Sequence, residues 1–158
     1  KLQEFPQMEE LYLSNTNIDG SGFRKVNLGT SLRIFKADDT SYGVAGMNVL
    51  AAHKNLEEVD LTRAKVSDKT VGSLKGLGKL RNLKLGHNPL SDPGVKQLTG
   101  LVSLEDITLG GTSISDNCLT AFKLCKSLRY FDVRQTQVTT KGHEYLLKIA
   151  PRCTIDHG

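Results

Sequence analysis

The chain has 158 residues, 38% hydrophobic and 24% charged, with a formal net charge of +4 and a pI near 9.0. That length suits one domain with a sizeable core, and no apolar run approaches the ~18 residues of a membrane span. The opening KLQEFPQMEEL lacks the apolar segment of a secretory signal, although the absence of an initial Met leaves a trimmed N-terminus open.

Taken in chain order, one pattern recurs. Met8, Leu11, Leu13 and Ile18 are followed by Leu32, Phe35, Ala37 and Tyr42, and then by Leu56, Val59, Leu61 and Val66. Leu80, Leu83, Leu85 and Leu90 continue it, as do Leu104, Ile107, Leu109 and Ile114, and finally Leu128, Phe131, Val133 and Val138. Each set begins 24 residues after the last, without insertion.

Residues two apart share one side of a strand, so Val59 and Leu61 face inward while Glu58, Asp60 and Thr62 face out. Six or seven parallel strands are expected, centred on the pairs at 11–13, 35–37, 59–61, 83–85, 107–109 and 131–133, with CTI as a last partial strand. Ser67, Ser91, Ser115 and Thr139 then offer helix N-cap oxygens, and Pro93 sits where a missing N–H costs little. Apolar columns three apart follow: Phe23, Met47, Val71, Val95, Leu119, then Val26, Leu50, Leu74, Leu98, Phe122. They predict helices over about 68–77, 93–101, 117–124 and 141–149. Gly20, Gly22, Gly29, Gly43 and Gly46 weaken the helices of the first two units. Such a unit cannot bury its apolar side alone but can when stacked on its neighbours.

The pattern LxxLxLxxTxI followed by a helix resembles the leucine-rich repeat family from Met8 to about Ile155. VSDKTVGSL, LSDPGVKQL and ISDNCLTAF look like the cysteine-containing class, while GVAGMNVLAAHKNLEEVDL is equally similar to the GALA class. The ninth position reads Thr16, Thr40, Ala64, Asn88, Thr112 and Thr136, so a full asparagine ladder is absent. The resemblance implies an α/β solenoid, a horseshoe arc with a parallel sheet on its concave face and short helices on its convex face. Residues 1–158 would form one domain of six units, starting near 8, 32, 56, 80, 104 and 128, plus partial end units. Leu2 and Phe5 have the spacing of a preceding unit's end, which predicts that the chain is a segment of a longer array, with end-to-end self-association expected through uncapped units. Extracellular members usually close their ends with Cys clusters; here Cys118, Cys125 and Cys153 are expected to be reduced structural thiols, and the location intracellular.

Chemistry-bearing motifs are sparse. GSLKGLGK fails the phosphate-loop spacing because position 73 is Ser. His53, His87, His143 and His157 have no paired metal spacing; His53 and His143 fall at the core edge. No catalytic set is suggested, and no enzyme activity, cofactor or metal is expected. Outward strand positions carry seven acidic residues (Glu10, Asp38, Asp39, Glu58, Asp60, Asp106, Asp132) against four basic ones (Lys36, Arg63, Lys84, Arg134). The surplus Lys lies on the helix side, contrary to the basic gripping face that phosphate binding requires. Nucleic-acid and membrane partners are therefore not expected. The column Glu9, Arg33, Glu57, Arg81, Glu105, Arg129 predicts an alternating-sign ladder.

The family's usual role implies a non-enzymatic protein-interaction module whose partner is another protein. Alternatives are the substrate-recognition part of a ubiquitin-ligase-type receptor or secreted bacterial effector, and a structural spacer. Outward columns vary freely in chemistry, so the expected contact residues are Tyr12, Lys36, Glu58, Asp60, Lys84, His87, Asp106, Tyr130, Asp132 and Arg134. Tyr12 and Tyr130 would be aromatic anchors, with Gly86, Gly110 and Gly111 as a shallow floor between the ends.

Overall fold

The computed structural model describes residues 3–43 and 45–158. Leu2, expected with Phe5 to close an earlier unit, lies outside them. The main sheet is parallel and seven-stranded: β2 (Glu10–Tyr12), β4 (Ile34–Lys36), β5 (Glu58–Asp60), β6 (Asn82–Lys84), β7 (Asp106–Thr108), β8 (Tyr130–Asp132) and β9 (Thr154–Asp156), in that spatial order. Successive strands pair residue for residue at the repeat interval, so Leu11, Phe35, Val59, Leu83, Ile107, Phe131 and Ile155 form one inward row. The second inward row, including Ala37, Leu61, Leu85 and Leu109, is likewise sealed from solvent. Burying a Leu-sized side chain contributes roughly 1.5–3 kcal/mol, and only stacking provides the apolar lid each needs. A separate parallel pair, β1 (Gln3–Glu4) with β3 (Val26–Asn27), has no counterpart in the repeat pattern.

Three of the four helices expected are shorter than the spacing suggests, and half of the six helical segments are 3₁₀: Ser21–Lys25, Val71–Gly76 and Asp116–Phe122. The α-helices are α1 (Met47–Leu50), α2 (Asp92–Lys96) and α3 (Thr140–Ile149). Spacing explains the correction. Val71, Leu74 and Leu77, all fully buried, recur every three residues, which is the 3₁₀ period. In α3 the buried positions Gly142 and Leu146, and Ala150 at its C-cap, are four apart, and this helix alone reaches 10 residues.

The capping expectation holds for Ser115 and Thr139, whose side chains accept from the backbone N–H groups of Asn117 (3.3 Å) and Lys141 (3.2 Å). It fails at Ser91, which accepts no such bond, and at Ser67, because Thr70 precedes the helix there. A different link joins the units. The Ser91 hydroxyl donates to Asp68, Ser115 to Asp92 (2.6 Å) and Thr139 to Asp116 (2.6 Å). The backbone N–H of each donates to the same carboxylate at 2.9, 2.7 and 2.8 Å. This Ser–Asp staircase also accounts for glycine at positions 94 and 142. A Cβ on Gly94 or Gly142 would overlap Asp68 or Asp116, so it is a carboxylate, rather than a helix, that needs the room.

The turn after each strand uses the ninth position as the chemistry of Thr and Asn dictates. Thr16, Thr40, Thr112 and Thr136 each donate to the carbonyl three residues back in their own unit, at 2.6 Å. Asn88 does more: it donates to Leu85 (2.9 Å) and, across the layer, to Leu61 (2.7 Å), and accepts from Ala64 (3.1 Å) and Val66 (2.9 Å). The residue before it is left-handed in every unit: Asn15, Asp39, Arg63, His87, Gly111 and Gln135 have φ between 51° and 69°. Only Gly111 avoids the steric cost of that conformation. Along the flank, four of the five steps of the predicted ladder form, Arg33–Glu9 (3.9 Å), Arg33–Glu57 (3.0 Å), Arg81–Glu105 (2.8 Å) and Arg129–Glu105 (3.7 Å), while Glu57 and Arg81 do not pair.

Candidate functional site

Strand alternation turns positions 10, 34, 58, 82, 106, 130 and 154 outward in one row, and 12, 36, 60, 84, 108, 132 and 156 in the next. Because the pairing is in register, these side chains meet as neighbours across strands. The expected contact residues separate into two groups at opposite ends of the sheet.

In the first group the Tyr12 hydroxyl donates to Glu10 (2.7 Å), and this bond to a carboxylate raises the phenol's pKa. Lys36 Nζ lies 5.6 Å from the Tyr12 ring centroid and pairs with Glu58 at 2.7 Å, which raises the ammonium's pKa. The Tyr12 ring is 55% exposed. Lys84 reaches Asp60 at 3.4 Å, whereas Lys36, the register partner of Asp60 on the other side, pairs with Glu58.

The second group is tighter. Arg134 donates to both oxygens of Asp132 at 3.0 Å and reaches Asp156 at 3.3 Å. The Tyr130 hydroxyl donates to Asp156 at 3.2 Å. Burial pushes the Asp132 carboxyl up, but the hydrogen bonds from Arg134 outweigh it and hold the pKa below the usual value. Asp156, absent from the expected set, joins Tyr130 to Arg134. The same interval that links Asp60, Lys84, Thr108 and Asp132 leads to it, so extending the column by one strand finds it.

The two tyrosines do not converge: four strands separate β2 from β8. The glycine floor lies beyond the strand ends rather than between the groups. There Gly110 and Gly111, with His87, Asp132, Arg134 and Gln135, line a depression of about 200 Å³. The exposed imidazole of His87 occupies the space a side chain on Gly111 would fill. Asp39 and Arg63, expected among outward strand residues, are in the left-handed turn column and pair with each other, one bond being 2.7 Å.

Between the two groups is a larger hollow of about 350 Å³, lined by Glu58, Asn82, Leu83, Lys84, Asp106, Thr108 and Tyr130. Asn82 and Thr108 were not in the expected set; being neutral, they carry no sequence signal of their own. With its amide nitrogen turned toward Asp106, Asn82 donates to it at 3.2 Å. Among the described residues, no Lys or Arg lies within 4.0 Å of Asp106. The two outward rows and the following strand-end position carry seven carboxylates (Glu10, Asp38, Glu58, Asp60, Asp106, Asp132, Asp156). Three cations, Lys36, Lys84 and Arg134, stand against them, in a chain whose net charge is +4. The sheet face is acidic on a basic protein.

The thiols offer no activated nucleophile. Cys118, Cys125 and Cys153 are free and buried, and burial pushes them up to about 12, 11 and 11; a reactive Cys needs a lowered value.

A family model described as Leucine Rich repeat matches residues 79–98. Among solved structures, internalin C2 of Listeria monocytogenes superposes with a TM-score of 0.77 at 21% identity, covering 94% of this chain and 60% of that one. A leucine-rich repeat protein of Leptospira interrogans gives 0.57 at 18% identity, covering 94% and 48%. The mouse RP105/MD-1 complex gives 0.64 at 18% identity, covering 89% and 24%. The chain thus spans less than two thirds of each of these proteins. No curated protein matches its sequence. The shared feature is the fold.

Proposed function

We propose that this leucine-rich repeat solenoid is a non-enzymatic protein-interaction module that holds its partner on the concave sheet. The observation that carries the reading is the contrast between the two sides of each strand. Inward rows are apolar and sealed from β4 to β8, whereas the outward rows change chemistry from strand to strand around a hollow of about 350 Å³. Core packing constrains the first and leaves the second free to match another surface. Tyr12 and Tyr130 offer aromatic contact at low entropy cost on either side of the hollow. The mouse structure similar in fold is a complex of RP105 with MD-1, a setting in which this architecture accompanies a bound protein.

Site-specific photo-crosslinking in the native cell tests this. A photoreactive residue at Thr108 is expected to give a discrete protein adduct, and one at Lys123 on the helix side none. Adducts confined to Lys123 would transfer the site to the convex face.

A further inference from the structure

We propose that the partner inserts an arginine side chain into the hollow between Asp106 and Tyr130, so that the protein recognises a cationic segment. The inference rests on the concave-face reading and names what fills it. Three observations support it. The sheet face is acidic although the chain is basic, so long-range attraction for cations is local to this side. Within the face most charges are already matched: Glu58 holds Lys36, Asp60 holds Lys84, and Asp132 with Asp156 holds Arg134. Asp106 is the carboxylate of the hollow without a cation, having only the neutral Asn82. Finally, Tyr130 lines the same hollow with its hydroxyl tied to Asp156, which fixes the ring as a wall.

Those parts suit a guanidinium. Its planar fork can donate to both carboxylate oxygens and stack on an aromatic face, which an ammonium does less well. Lys84, although in the lining, is bound to Asp60 and does not compete for Asp106. An acidic or purely apolar occupant would leave Asp106 desolvated and unpaired, a costly outcome.

The test uses a randomised peptide library selected on the intact chain, with the recovered peptides measured by fluorescence anisotropy. Arginine enrichment is expected, together with at least tenfold weaker binding to Asp106→Asn, loss of a similar size in Tyr130→Ala, and weakening between 50 and 300 mM salt on the order expected for a charged contact. Tyr130→Phe, which keeps the ring but loses its tie to Asp156, is expected to fall between the parent protein and Tyr130→Ala. Replacing the peptide arginine by lysine is expected to weaken binding several-fold. Arginine-free peptides that depend on Tyr130 would overturn the cationic occupant and leave the concave site standing. Arginine peptides indifferent to Asp106→Asn would overturn the proposed pairing. Peptides sensitive only to Lys123→Ala would overturn the concave reading itself.

Discussion

At the residue scale, Asn88 shows what one side chain adds between layers. It is buried and bonds two units, whereas Thr112 in the next unit bonds only its own. Asn88→Thr keeps the local bond but leaves the Val66 N–H without its acceptor, while the Ala64 N–H keeps only the Leu61 carbonyl at 3.2 Å. A loss of about 1–3 kcal/mol is expected in urea unfolding. Asp92 makes a second case. Burial raises its pKa, but the hydroxyl and N–H of Ser115 outweigh that and hold it below the ordinary value. A carboxylate depressed in the folded state stabilises it above the unfolded pKa and ceases to do so as pH falls through the folded one. Asp92→Asn should therefore lower the melting temperature at pH 7 and narrow the difference from the parent protein at pH 2–3. Sequence alone exposed the ninth-position column and its Thr-rich chemistry. It did not expose the Ser–Asp link, because partners in different units share no local spacing, and Ser before Asp reads first as a helix cap.

At the scale of the element, the glycines of the helical segments have opposite consequences. In α2, Gly94 would gain helix propensity from alanine, roughly 1 kcal/mol. The added methyl would nevertheless overlap the Asp68 carboxylate that receives Ser91. Gly94→Ala is expected to destabilise by about 1–3 kcal/mol, while Gly22→Ala, with open space around it, should be neutral or slightly stabilising. Thermal unfolding of the pair separates packing from propensity. The helices were legible as a face but not as a type. Apolar residues three apart satisfy both helical periods over two turns, and only the four-residue spacing from Gly142 to Leu146 marks α3 as a full α-helix. The left-handed column was harder to read: only Gly111 is glycine, and although Asn15, Asp39 and His87 are types that tolerate the conformation, Arg63 and Gln135 break the pattern.

At the scale of the molecule, each layer contacts only its neighbours, so order should follow how well each layer is covered. Leu11, Leu13, Ile18 and Phe23 are half-buried, whereas the corresponding Leu83, Leu85, Leu90 and Val95 are sealed. Amide hydrogen exchange should show slowest exchange over β6 and β7 and much faster exchange over β2, by roughly tenfold or more. Uniform protection would contradict nearest-neighbour stability. The constant 24-residue interval made the sheet, its direction and its register readable in advance, because stacking permits no other pairing of the apolar rows. The candidate site was readable only as a list of outward positions. Which charges are satisfied depends on the rotamers that Lys36, Lys84 and Arg134 choose among several carboxylates, and pattern does not decide that.

The staircase gives the two layers carrying Ser91–Asp92 and Ser115–Asp116 both a socket and a plug: a carboxylate that receives the next hydroxyl, and a hydroxyl that enters the previous carboxylate. Extension is thus directional, yet the flank counts differently, since Glu and Arg alternate and the molecule returns to itself only every second layer. An inserted copy of residues 80–103 would continue the socket but set Arg81 above another Arg81. A copy of residues 80–127 would continue both. Lengthened in pairs the arc should melt higher than the parent; lengthened by one layer it should gain less, and salt should close part of the gap.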